Sequence, residues 1–169
     1  TDAFGPENYA FFIGNELVIM LDNIIHGMKS GSHPYSLGYT DEQLKWIREL
    51  IKYVPTDVDV YVGQHSPTNG RFYMSGGKET DLIINGQEFL NVLKGHKVTI
   101  LSGHNHLNRN FRYSSDIIEH NVAAICGTWW DAYHCKDGTP RGYKVFTSDK
   151  GQLTWYYKSV GKDKDFQYE

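Results

Sequence analysis

Apolar positions along the chain follow two different periods, and the changes between them outline the elements. Residues 11–13 and 17–21 are short apolar runs parted by Gly14-Asn15-Glu16. They predict a β-hairpin whose second strand is buried on both faces. Residues 23–38 are rich in Gly, Ser, His and Pro, which predicts a long functional loop. Leu44, Ile47, Ile51 and Val54 then recur at helical spacing as far as Pro55. Thr40 and Gln43 form a capping-box pattern ahead of that helix, with Tyr39 and Leu44 placed as a hydrophobic staple.

Residues 57–62 alternate like a half-buried strand, and residues 70–77, with Gly76-Gly77, read as a second loop. Asn85 is positioned to cap a shorter helix running to Lys94. Phe89, Leu90, Val92 and Leu93 should face inward there, with Gly95 as the stop. Residues 98–101 form the next strand. Stretches 116–119, 121–126, 143–147 and 153–157 then predict antiparallel strands joined by turns such as 136–140. Helix and strand alternate first and strands accumulate later, so the pattern predicts an α/β fold with helices outside the sheets.

Composition narrows the function classes. A chain of 169 residues, 40% hydrophobic and 22% charged, is sized for one domain. A net charge of -3 provides no electrostatic footprint for a nucleic-acid backbone. No apolar stretch approaches the roughly 20 residues of a bilayer-spanning helix. The chain opens at Thr1 and closes in the charged stretch 161–165, and both ends read as cuts in a longer protein. Cys126, in an apolar run, reads as a buried thiol. Cys135 lies in a turn-rich loop, and two cysteines leave a disulfide open.

The candidate chemistry sits at two strand ends. Residues 98–101 run into Ser102-Gly103-His104-Asn105-His106, and residues 57–62 run through Gly63 into Gln64-His65-Ser66-Pro67. Side chains at i and i+2 on extended backbone share a side. Ligands gather beyond the carboxyl ends of strands in open α/β sheets. His65, His104 and His106 are therefore expected to converge as neutral imidazole ligands for a transition metal.

Other residues carry weaker signals. Trp129 and Trp130 are candidate pocket walls, but adjacent strand residues face opposite sides, which assigns one of them to the core. Asn108 is a candidate phosphate or sugar contact, equally well read as a solvated asparagine. Residues 119–121 read as a polar turn, with partners for the histidines as the alternative reading. His26 and His33 read as surface residues of the long loop, and His96 as a cation at a helix end.

The ordered pair Gln64-His65-Ser66-Pro67 and Ser102-Gly103-His104-Asn105-His106 resembles the last two metal motifs of the calcineurin-like metallophosphoesterase superfamily. The hairpin ending in Leu21-Asp22 and the stretch Cys126-Gly127-Thr128-Trp129-Trp130 look like a bacterial multidomain branch of it. The resemblance covers the second half of a catalytic domain. It implies part of a four-layer α/β/β/α sandwich of mixed sheets, incomplete at the N-terminus. Residues 1–160 would be that half-domain, and 161–169 a linker towards a further C-terminal domain.

The resemblance further implies a binuclear centre of two divalent ions, Mn, Fe or Zn, hydrolysing a phosphomonoester or phosphodiester. His65 and His104 would bind one ion and His106 the other. The family's Asp-x-His, Gly-Asp-x-x-Asp and Gly-Asn-His motifs do not occur here, so the bridging carboxylate and the leaving-group histidine would lie upstream. No catalytic residue is then expected in this segment, and it should be inactive alone, with partial or no metal occupancy. Its expected partners are a phosphoester substrate and the N-terminal half of the same domain, in cis or in trans. The compartment stays open, with the bacterial cell envelope favoured over the cytoplasm. The alternative is a non-catalytic ligand- or carbohydrate-binding module, using its 14% aromatic residues, with incidental histidines.

Overall fold

The computed structural model describes residues 5–31, 33–69, 82–149 and 151–166. The first apolar runs form the hairpin β1 (Tyr9–Ile13) and β2 (Glu16–Leu21). β2 lies parallel to β5 (Asp59–Gln64), β5 to β6 (Lys97–Ser102), and β6 to β8 (Ile117–Asn121). β7 (Arg109–Arg112) closes the far edge antiparallel to β8. The result is one mixed six-stranded sheet in the order β1-β2-β5-β6-β8-β7.

Alternation along the parallel strands sorts side chains between two faces. Leu17, Ile19 and Leu21 of β2, Val60 and Val62 of β5, and Val98 and Ile100 of β6 are buried under the helices. β2 is therefore fully buried on one face only, because its other face remains half-covered. Helix α1 (Asp41–Ile51) starts at Thr40 with both halves of the capping box formed, and buries Leu44, Ile47 and Ile51. Such a cap contributes about 1 kcal/mol. Helix α2 (Gly86–Leu93) buries Phe89, Leu90 and Leu93. Tyr39 and Phe89 stack with centroids 4.1 Å apart in this core. Asn85 precedes α2 in a left-handed conformation and makes no side-chain cap; its amide instead donates to the Tyr39 carbonyl at 2.9 Å.

Residues 23–38 are not a loop. They form the hairpin β3 (Ile24–Ser30) and β4 (His33–Leu37), with a register irregularity between His26 and Ser30. The Gly, Ser and His content disguised it, because β3 is largely exposed and the buried position of β4 is Ser36, so neither strand shows apolar alternation. Gly38 then bridges to Ile84, and a Cβ there would stand 2.5 Å from that side chain, so only glycine fits.

The opposite face of the sheet is covered by the hairpin β9 (Gly142–Asp149) and β10 (Gln152–Ser159). His120 of β8 packs edge-on against Phe146 and Trp155, and the Tyr61 hydroxyl donates to Ser148 Oγ at 3.3 Å. Helices, mixed sheet and hairpin thus follow one another as layers, which agrees with the expected mixed-sheet α/β class. Two local expectations fail. Of the stretch expected at 116–119, residues 117–119 belong to a strand parallel to β6, and the strand expected at 121–126 ends at Asn121, with turns from residue 125. The glycine loop expected at 70–77 lies outside the described residues.

Candidate metal centre

The carboxyl ends of β5 and β6 lie side by side because the two strands pair in parallel register. His65 follows β5 directly, and His104 stands two residues past β6. The Gly103 N–H donates to the His65 carbonyl at 3.0 Å, so the two tips are joined through backbone. Asn23, fully buried beyond β2, clamps the first tip: its amide donates to the Ser66 carbonyl at 2.7 Å and its oxygen accepts the Ser66 N–H at 2.9 Å. Asn121 secures the second, donating to the Gly103 carbonyl at 2.5 Å.

His65 Nε2 and His104 Nδ1 face each other at 2.8 Å. Burial, with the neighbouring His65, His106 and His33, pushes the His104 imidazole below its ordinary range. A neutral ring with a free lone pair is the form that binds a metal. His104 and His106 both adopt left-handed backbone, with φ of 67° and 55°. Such conformations cost about 1–3 kcal/mol each and cluster at functional sites.

His106 does not join that pair. Its Nδ1 donates to the Gly127 carbonyl at 2.9 Å, which leaves Nε2 as the nitrogen with a lone pair. Its ring stacks on Trp129 at 4.6 Å, and Cys126 Sγ lies 3.6 Å from Nδ1. Gly127 has φ +59°, and a Cβ there would come within 2.4 Å of the Ala132 carbonyl. The carbonyl that orients His106 is therefore carried by a turn that requires glycine.

The donor set fits two of the ligands of one ion. Two nitrogens bound to a common tetrahedral ion stand ~3.3 Å apart, close to the separation found here. Among the described residues no group of three His, Cys, Asp or Glu side chains gathers around one point. His65 and His104 thus come together and His106 stands apart, a division into two positions.

A cleft of about 660 Å³ opens beside His104, between the β3–β4 hairpin and the turns after β8. Its walls include His33, Tyr35, Arg109, Trp129 and Lys136. Trp130 and Asn108 do not line it. The two tryptophans are not strand residues. Both sit in turns with positive φ, 46° and 72°, and both are exposed, 53% and 75%. Neither is core, and the reasoning from strand alternation fails because no strand is there. Asn108 is half-buried and its backbone N–H donates to Asp137 Oδ2 at 2.8 Å. Cys126 is only partly buried, Cys135 is fully buried, and both thiols are free.

Residues 119–169 match the family model described as the C terminal of calcineurin-like phosphoesterase. No curated protein matches the chain in sequence. The fold resembles that of a dimetal phosphatase from Danio rerio, with a TM-score of 0.50 at 16% identity over 69% of this chain and 48% of that one. It also resembles a 5'-nucleotidase from Candida albicans, with a TM-score of 0.52 at 14% identity over 95% of this chain and 28% of that one. The chain therefore spans about half of the first and under a third of the second. Residues 119–169 thus resemble the C-terminal part of calcineurin-like phosphoesterases, and the chain shares its fold with the two solved structures.

Proposed function

We propose that this chain supplies part of the metal centre of a phosphoesterase, with His65 and His104 holding one divalent ion and His106 a second. The carrying observation is the meeting of His65 Nε2 and His104 Nδ1 at the tips of adjacent parallel strands. The separate fixing of His106 by Gly127 supports a second ion position. The family match and the fold favour this reading over a carbohydrate-binding module.

When bound, two divalent ions would polarise the phosphoryl group, neutralise charge on its oxygens and lower the pKa of water. The chain's own residues orient the ligands and shape the approach. Asn23, Asn121 and Gly127 hold the three histidine segments, while Arg109 and Lys136 bring positive charge to the cleft beside His104. Neutral histidines leave the charge of two dications uncompensated, so the site requires carboxylates from elsewhere. A phosphomonoester or phosphodiester is the substrate class, and the segment is inactive alone. Assaying a generic phosphoester with Mn or Zn tests this. No turnover is expected from the chain by itself, and turnover is expected on adding the upstream half of the domain. Robust turnover by the chain alone that disappears in His104→Ala would overturn the need for a second half.

A further inference from the structure

Glu119 is fully buried on β8, on the same side of the strand as the buried Ile117. Its Oε1 accepts from Ser102 Oγ at 2.5 Å and Gln64 Nε2 at 3.4 Å. Oε2 accepts from the Tyr113 hydroxyl at 2.6 Å, and the Thr68 N–H reaches both oxygens at 3.1 Å. Among the described residues no Lys, Arg or His pairs with it. An unpaired buried charge costs several kcal/mol, so these donors must do the compensating. Burial pushes the carboxyl pKa up, and the Ser102, Tyr113 and Thr68 hydrogen bonds oppose that rise.

Three of the four donor residues belong to the two histidine segments. Gln64 immediately precedes His65, Thr68 follows it by three positions, and Ser102 precedes His104 by two. The Tyr39 hydroxyl completes the arrangement, donating to Gln64 Oε1 at 2.8 Å. Asn23 and Asn121 hold one tip each, whereas the Glu119 side chain reaches both.

Resting on the metal reading above, we infer that Glu119 is a positioning residue: its carboxylate ties the tips of β5 and β6 together and so sets the facing of His65 and His104. The tie acts before any ion arrives. A ligand pair arranged in advance spares the metal the cost of ordering it, and lost supporting contacts of this kind typically weaken metal binding about 10–100-fold.

The test uses metal-free, ¹⁵N-labelled protein at one fixed pH, with proton–nitrogen spectra that report which nitrogen of each imidazole carries its proton. Wild-type protein should show complementary tautomers for His65 and His104, one donor facing one acceptor. Glu119→Gln and Ser102→Ala should lose that complementarity while remaining folded. Tyr113→Phe, which removes only the donor outside the histidine segments, should lower thermal stability and keep it. Co²⁺ titration of the same proteins should show at least tenfold weaker binding in Glu119→Gln and Ser102→Ala. Retention of the paired tautomers in a folded Glu119→Gln, or in Ser102→Ala should the first variant fail to fold, overturns the inference. Paired tautomers in a wild-type protein that binds no Co²⁺ even with the upstream half of the domain added sink the metal reading and leave the positioning role standing.

Discussion

The two faces of the six-stranded sheet are finished by different chemistry. The helix face is apolar along β2, β5 and β6 and turns polar where Gln64 and Ser102, at the ends of β5 and β6, join Glu119 from the middle of β8 in one hydrogen-bonded group. The hairpin face places a polar cluster within its cover instead. His120 Nδ1 donates to Asn110 Oδ1 at 2.8 Å, and Lys144 Nζ donates to the same oxygen at 2.8 Å while lying over the Trp155 ring. Glu119 and His120 are sequence neighbours on β8, and alternation sends each to a different face. One helps to hold the candidate metal ligands, and the other pins a hairpin to the sheet. A buried polar residue therefore acquires its role from the side of the strand it occupies.

Removing the packing beneath the helices should do the most damage. Phe89→Ala should cost about 4 kcal/mol by denaturant unfolding, since a large ring stacked on Tyr39 leaves a cavity that cannot fully close. A loss below 1 kcal/mol would mean that the helix face is not the dominant core.

The hairpin face should show itself in acid. Burial and the Lys144 ammonium push the His120 imidazole down to about 4, from an ordinary value of 6.5. Between those two values the unfolded chain binds more protons than the folded one, so stability falls as pH is lowered through that window. A loss of about 2 kcal/mol between neutral pH and about pH 4.5 is expected by urea titration. It should shrink in His120→Gln, and an unchanged acid limb in that variant would remove the cause assigned here.

Lys144 gives a smaller effect of opposite sign. Burial lowers its ammonium pKa to about 8, and no carboxylate pairs with it among the described residues. Replacing an unpaired buried cation by an apolar side chain of similar length should be neutral or stabilising, so Lys144→Met should gain about 1 kcal/mol. A marked loss would show that the Asn110 bond outweighs the desolvation. Least of all, Trp130→Ala should change stability by under about 0.5 kcal/mol, because the ring is three-quarters exposed. A thermal melt suffices to check it.

Much of this was legible in the residues. The Thr40–Gln43 box and the Leu44, Ile47, Ile51 spacing define α1 because capping and helical periodicity are local properties. The two histidine tips could be located because an apolar run ending in glycine marks a strand end. The β3–β4 hairpin stayed hidden, since β3 is mostly open to solvent and β4 buries a serine, Ser36, which leaves no apolar alternation to read. Trp129 and Trp130 misled because their left-handed backbone is dictated by the turn closed on Gly127, not by residue preference. In sequence, Glu119 reads as part of a polar turn. The available signal was its place two residues from Ile117, where a carboxylate on an apolar face demands donors from elsewhere. Those donors come from Thr68 and Ser102, 51 and 17 positions away, and spacing alone does not disclose them.

The central claim is that imidazoles from two strand tips grip one divalent ion. Calorimetric titration of Zn²⁺ into the wild type and three alanine variants, each combined with the upstream half of the domain, tests it most directly. His65→Ala and His104→Ala should each weaken binding about 100-fold, roughly 2.8 kcal/mol, while His120→Ala, on the opposite face, binds as the wild type does. Equal affinity across all four proteins would contradict the account.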